Sequence, residues 1–341
     1  MKRTLVYVFG FIILFFVFPA VCTITPKKEQ ETVTNEANNI EEPKEETEKY
    51  EYDYQKFKTI KLLHTESSQV EELNIDEYLY GVVSSEMPAS YEIEALKAQA
   101  VVARTYTIYQ AMNNPTKHEN ADICDNYACC QAWISKEERL SKWKPEEAES
   151  NWNKIVEAVD STSGKIITYN GAPINAFFHA NSGGVTESSL NIWGGIDYPY
   201  LKSVETAGEE GYTQYSSEAT FTKEELLNKI KEKYQDCVID YSQENSIQIL
   251  EYTTSGRVKT IKFVNKEIAG TDARTLLGLK STNFTVIVGD ENVIFNVTGY
   301  GHGLGMSQTG SNYYAKEGLT YDQIIKHYYT GVDITRAEQI E

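Results

Sequence analysis

Cysteine is scarce, with five in 341 residues, too few to staple a chain of this size as a disulfide scaffold. Proline and glycine, at 8 and 21 residues, are too few for a fibrous or low-complexity chain. Positive charge is in deficit: 32 Lys and Arg stand against 50 Asp and Glu, for a net −18. A nucleic-acid-binding role, which needs a basic face, is therefore excluded. What remains is globular in composition, 41% hydrophobic and 12% aromatic, and long enough for one large domain or two smaller ones. The 24 tyrosines offer flat apolar faces with a polar tip, suited to cores and to carbohydrate-binding grooves; ordinary core and surface positions account for most of them.

Lys2 and Arg3 precede an uncharged run from Thr4 to Ile24, about long enough to span a bilayer. Residues 1–25 read as a transmembrane anchor or a signal peptide cleaved after Cys22, and length and flanks favour the anchor. The basic residues ahead of the run place the N-terminus in the cytoplasm and the rest of the chain outside it. Residues 26–55 hold nine Glu, one Asp and four Lys with few aliphatics, the composition of a solvated, disordered tether. The folded domain is expected over residues 56–341.

Within it, Lys56–His64 alternates as a strand does, and Ile75–Ser85 has helical spacing with Asp76 as a cap candidate. Glu92–Met112 is Ala-rich and strongly helical. Pro145 opens a further helix that Gly164 stops. Three hairpins are signalled: Lys165–Tyr169 with Ile174–His179 around Asn170-Gly171, Ser246–Tyr252 with Val258–Phe263, and Phe284–Val288 with Val293–Val297. Thr222 caps a helix through Tyr234, and helices over Met306–Glu317 and Tyr321–Tyr329 close the chain. The pattern predicts an α+β fold of mixed helices and antiparallel hairpins, divisible into two lobes around a substrate groove and unlike lysozyme.

Three constellations carry chemistry. Glu86, before Met87-Pro88, sits between two predicted helices, as a surface residue, a cap or a catalytic carboxyl. Lys97 and Arg104 are seven apart and share a helix face; they line a groove, hold Glu86 or reach out to solvent. Next, His118, Cys124, Cys129 and Cys130 lie within thirteen residues. They read as a closed Cys3His zinc site or as a Cys124–Cys129 disulfide that leaves Cys130 free. The odd thiol count favours metal, with Asp122 and Asp125 as second-rank oxygen ligands. Lastly, Gly299, Gly301, Gly303 and Gly305 alternate through a segment containing His302, in a spacing that is not GxGxxG. Close backbone approach explains it better, with a helix N-terminus near Met306 facing a ligand or another segment. His302 is either a buried, hydrogen-bonded histidine or a groove-lining one, and is counted with the substrate-binding candidates. His179 and Ser182 lack a nucleophile elbow, and there is no His-Glu-x-x-His.

The stretches Tyr78-Leu79-Tyr80-Gly81-Val82-Val83 to Glu86-Met87-Pro88, Glu94 to Tyr106, Asn181-Ser182-Gly183-Gly184 and Gly301-His302-Gly303-Leu304-Gly305-Met306-Ser307-Gln308 resemble the stage II sporulation protein D family, over essentially all of the chain after the tether. The resemblance implies a peptidoglycan lytic transglycosylase that cuts the bond after N-acetylmuramic acid (MurNAc) and leaves a 1,6-anhydro end. Its substrate would be glycan already stripped of stem peptides. The family's catalytic acid falls on Glu86, and Lys97, Arg104, Tyr200 and Lys202 fall on positions it associates with the groove. Some members hold zinc in the loop that contains His118 and the three cysteines; with no ligand position open, such an ion braces rather than activates water. Thr309 and Ser311 stand where the family often has an aromatic residue and Ala, so that segment is expected to pack differently.

One carboxyl suffices for this chemistry. Ordinary glycosidases use two, but here the sugar's own 6-hydroxyl is the final nucleophile. The reaction calls for a Glu of raised pKa in a partly apolar setting, so Lys97 and Arg104 are expected to grip substrate rather than pair with Glu86. The family implies an amidase partner, stage II sporulation protein P, and a membrane scaffold, stage II sporulation protein M. It also implies a single-pass location between mother-cell and forespore membranes during engulfment. The alternative from another class is a non-enzymatic, wall-binding modifier of an amidase.

Overall fold

Alanines spaced along the longest helix among the described residues decide what surrounds it. The computed structural model describes residues 57–192, 197–243 and 245–336. The chain opens with β1 (Thr59–His64) and β2 (Gln69–Asn74), an antiparallel pair, then α1 (Ile75–Glu86) and α2 (Ile93–Asn113). The alanines of α2 let neighbours approach closely from every side, and fourteen of its residues are buried, as in a helix enclosed by a core. The short strand β3 (Ile123–Cys124) runs parallel to β1. Next come α3 (Lys136–Lys142), α4 (Pro145–Asp160), β4 (Lys165–Tyr169) and β5 (Ala172–Pro173), then β6 (Phe178–His179) and α5 (Ser189–Ile192). After an excursion the chain returns with β13 (Met306–Ser307), α8 (Gln308–Lys316), α9 (Tyr321–Tyr328) and β14 (Asp333–Arg336). α1, α4, α8, α9 and β4 all pack on α2, enclosing Leu79, Val82, Leu96, Val101, Ile155, Ile167 and Ile325. Thr105 ties helix to sheet: its hydroxyl donates to Val101 O at 2.7 Å and accepts from Ile167 N at 2.9 Å.

The excursion builds a second core. It comprises β7 (Ser216–Thr222), α6 (Lys223–Lys231), β8 (Ile247–Tyr252), β9 (Val258–Phe263), β10 (Lys266–Ala269), α7 (Gly270–Leu277), β11 (Phe284–Val288) and β12 (Asn292–Thr298). Its two antiparallel sheets, in orders β10-β9-β8 and β11-β12-β7, close with α6 and α7 around Leu226, Ile261, Phe263, Phe284 and Phe295. The fold is α+β, with two cores as the sequence pattern allowed.

Several local expectations need adjustment. Asn170 and Gly171 do form the turn, both at positive φ (51° and 79°) as a two-residue hairpin requires. The returning strand, however, is only β5; the chain then leaves this sheet, and Phe178–His179 pairs in parallel with Met306–Ser307, while β14 takes the other edge of β4. Asn74, not Asp76, caps α1, accepting from Asp76 N at 2.9 Å; the Asp76 carboxylate serves Arg104 instead. The single-pass location is corrected as well: among the described residues no helix is long and apolar enough to cross a membrane. The 21-residue α2 carries Glu94, Lys97 and Arg104 and is covered by protein. The run from Thr4 to Ile24 and the acidic stretch of residues 26–55 lie outside the described residues.

Candidate active site

α1 ends at Glu86 because the next residues, Met87 in extended conformation and Pro88, cannot continue it. The turn leaves the Glu86 carboxyl on the wall of a cleft of about 550 Å³. A loop from the next part of the chain crosses α1 there. Gly81 makes room for it, since a Cβ would lie 2.7 Å from Ile134 O. The crossing brings Ala132 N to 2.7 Å from Glu86 Oε1, while Gln308 Nε2 stands 3.5 Å from Oε2. Burial raises the Glu86 pKa from 4.5 to about 7, against the opposing pull of those two hydrogen bonds.

The glycine segment builds a further part of the cleft lining. Gly305 has φ +66°, and a Cβ there would lie 1.9 Å from Phe177 O, so only glycine admits the parallel pairing of β13 with β6. That pairing sets His179 beside Ser307 and starts α8 at Gln308, with the Ser307 hydroxyl accepting from Gly310 N at 3.3 Å. His302 and His179 line the cleft with Phe177, Tyr106, Tyr300 and Arg274. His179 Nδ1 lies 3.0 Å from Leu304 O, and His302 Nδ1 accepts from Leu304 N at 3.0 Å. Burial lowers both imidazole pKa values to about 3, so both rings are neutral. Among the described residues lining the cleft, Glu86 is the only carboxylate and Arg274 the only Lys or Arg.

Cys129 and Cys130 also line the cleft. A nitrogen of His118 and the sulfurs of Cys124, Cys129 and Cys130 all lie within 4.8 Å of one another. His118 Nε2 is 3.2 Å from Cys130 Sγ, which is 4.0 Å from Cys129 Sγ. Ligand–ligand edges about one tetrahedral ion run roughly 3.5–3.8 Å, so this donor set fits a metal with small side-chain shifts. The three cysteines are free thiols. Asp122 and Asp125 anchor the loop: Asp122 accepts from Lys61 N at 2.9 Å, and Asp125 accepts from Thr65 N at 3.0 Å and the Thr65 hydroxyl at 2.7 Å.

The other expected site residues lie outside the cleft lining. Lys97 pairs with Glu94 at 2.8 Å. Arg104, fully buried, pairs with Asp76 at 2.9 Å and donates to Thr162 O at 2.9 Å and Lys165 O at 3.2 Å. The Tyr200 hydroxyl accepts from Asn175 N at 3.0 Å, and its ring packs on Tyr198 and Tyr169. Lys202 stands exposed, 3.7 Å from Asp197.

Sequence reasoning missed three contributors. Gln308 lay inside a quoted motif without a role. Arg274 sits in the other core, nearly two hundred positions from Glu86. Glu209, fully buried, accepts from Ser182 N at 2.9 Å, Gly184 N at 2.8 Å, and the Ser182, Ser307 and Thr309 hydroxyls. Thr309 thus packs as a polar partner, in the segment expected to differ. No local signal marks a carboxylate whose donors come from elsewhere in the chain.

Fold and site together define a two-core α+β protein with a cleft arranged around a single carboxyl group. The Stage II sporulation protein family matches residues 64–169. Stage II sporulation protein D of Bacillus subtilis (strain 168) is 37% identical over 281 residues, covering 82% of this chain and 80% of the relative. Its Bacillus amyloliquefaciens namesake is 35% identical over 281 residues, covering 82% and 79%. The amidase enhancer of Bacillus subtilis (strain 168) is 31% identical over 304 residues, covering 75% of this chain and 40% of that longer protein. The chain belongs to the stage II sporulation protein D family.

Proposed function

We propose that the protein is a peptidoglycan lytic transglycosylase acting during spore engulfment. It cleaves peptide-stripped glycan at MurNAc–GlcNAc bonds and leaves 1,6-anhydroMurNAc ends. The observation that carries this reading is the solitary Glu86, with its pKa raised to about 7 and no second carboxylate among the described residues of the cleft lining. A hydrolase of the ordinary kind needs a pair roughly 5–10 Å apart.

In the first step protonated Glu86 gives its proton to the glycosidic oxygen. The C1–O bond breaks, GlcNAc leaves as an alcohol and positive charge develops at C1. In the second step the Glu86 carboxylate takes the proton of the 6-hydroxyl as O6 bonds to C1. No water is consumed and the acid is restored. Ala132 N–H and the Gln308 amide hold the carboxylate form between the steps, while neutral His179 and His302 supply hydrogen-bonding groups without competing as acids. Tyr106, Phe177 and Tyr300 give the sugar rings apolar faces.

His118, Cys124, Cys129 and Cys130 hold a structural zinc ion on this reading, bracing the loop that presents Ala132. Arg104 and Tyr200 act through the fold; Lys97 and Lys202 engage glycan beyond the cleft. The partners are the amidase, stage II sporulation protein P, which strips the strand beforehand, and stage II sporulation protein M. The residues from 56 onward form the catalytic domain.

The likeness to an amidase enhancer favours one second reading, a wall-binding modifier that does not cut. Mass spectrometry of peptide-free strands incubated with the full chain and with Glu86→Gln separates the two. Anhydro-ended fragments made only by the unsubstituted chain support the transglycosylase. Strands bound but left intact by both proteins support the modifier.

A further inference from the structure

Arg274 is a cation without an anion. It lies on α7 in the second core and lines the same cleft as Glu86. Its Nε makes one long bond to Leu279 O at 3.4 Å, and among the described residues it enters no ion pair. Burial lowers its pKa from the usual guanidinium value, and it is near enough to His179 and His302 to depress both. Lys280 adds positive charge at the rim, its Nζ 4.7 Å from the centre of the Tyr300 ring. A half-buried guanidinium with most of its donors unspent is costly to keep, and a planar fork of donors is the natural partner of a carboxylate. In a chain of net charge −18, this local positive field also runs against the overall one, and a cleft focuses it.

The two sugars of the strand differ in one charged group. GlcNAc is neutral, whereas MurNAc carries a lactyl ether at C3 whose carboxylate is free once the stem peptide is gone. With the peptide attached, the same carbon is an amide, larger and uncharged. We infer that Arg274 binds the free lactyl carboxylate of a MurNAc in the cleft, and that this contact selects stripped strands over peptide-bearing ones. The inference rests on the glycan-cleaving reading of the same site and adds to it a residue that determines specificity, contributed by the second core.

Equilibrium binding to the full chain bearing Glu86→Gln tests it, because binding is read without turnover. The probes are a peptide-free glycan strand and the same strand with its lactyl carboxyls converted to methylamides. The free-acid strand should bind roughly 10- to 100-fold more tightly, the range for a hydrogen-bonded charge, and the advantage should shrink with added salt. Adding Arg274→Gln should abolish the preference while leaving methylamide binding unchanged, which also reports that the cleft is still folded. Arg274→Lys should restore part of it. Equal binding of the two strands to the Arg274 protein, or equal weakening of both by Arg274→Gln, overturns the inference while leaving the cleavage reading intact. Failure of both strands to bind brings down the glycan reading itself.

Discussion

Ala132 donates its backbone N–H to Oε1 of Glu86 at 2.7 Å, two positions after Cys130 in the chain. The loop whose sulfurs and imidazole are gathered into one cluster therefore also sets the hydrogen bonding of the carboxyl group in the cleft. Cluster and carboxyl are coupled through three residues of backbone rather than through any shared side chain.

That coupling predicts what loss of the cluster does. Cys130→Ser should remove bound zinc, read as a fall from about one ion per chain by elemental analysis, and lower the melting temperature. It should also weaken the Ala132 bond, which favours the charged form of Glu86, so the alkaline limb of the pH–rate profile should move to higher pH as activity falls. Loss of metal with an unmoved limb would show that the brace and the acid are independent.

The raised pKa of Glu86 fixes two pH dependences. As an acid, Glu86 is active when protonated, so kcat/KM should decline above about pH 7. For stability the folded state holds this proton more tightly than the unfolded one. The contribution is full below 4.5 and is lost as pH rises from 4.5 toward 7. Urea melts of the protein and of Glu86→Gln at pH 5 and pH 8 should show the unsubstituted chain losing stability relative to the variant at the higher pH. Parallel behaviour of the two would mean an unperturbed carboxyl.

Arg104 and Asp76 form a pair of a different kind. The guanidinium is fully buried, and its donors are also spent on Thr162 O, Lys165 O and Val159 O, fastening α2 and α1 to the end of α4. Arg104→Ala should cost about 3–5 kcal/mol, the range for one partner of a buried pair left alone. Asp76→Asn should cost less, since Asp76 is partly exposed. Chemical denaturation of both variants checks this. A fully stable Arg104→Ala protein that has lost only glycan binding would return Arg104 to the groove.

Much of the fold could be read from local pattern, and the reasons are local. The Ala-rich stretch of α2, the Thr222 capping box and the turn at Asn170-Gly171 depend on neighbours a few positions away. β1 was legible in its alternation, but β2, β7, α3 and α7 escaped because those strands are largely exposed and those helices short. The site followed the same division. His118 and the cysteines stood out by residue type and spacing and His302 by its alternating glycines, whereas Glu86 was one reading among three until the family resemblance singled it out; the structure gathers Glu86, Cys129, Cys130 and His302 around one cleft. Lys97 and Arg104 share a helix as expected; the charge of Lys97 is met by Glu94 one turn away, a neighbour that periodicity provides, but that of Arg104 is met by Asp76 on another helix, which periodicity cannot foresee. Glu209 draws its donors from segments 25 to 100 positions away, and Arg274 reaches the cleft from the second core, so neither role shows in local pattern.

Glu209 offers the sharpest test of those long-range contacts. Its carboxylate gathers five donors from the Asn181–Gly184 turn and the start of α8, and so fixes where Gln308 begins its helix beside Glu86. Glu209→Gln keeps the shape but turns an NH2 toward groups that are themselves donors. It should cost about 3 kcal/mol, the scale of a charged buried acceptor lost with its partners left unpaired, whereas Ser182→Ala should cost about 1 kcal/mol. Because Gln308 depends on this anchor, Glu209→Gln should also reduce kcat more than it raises KM, at temperatures where the variant remains folded. A variant within about 0.5 kcal/mol of the parent, the usual spread of surface substitutions, with unchanged kcat, would mean that the Gly-rich segment and α8 hold their places without it.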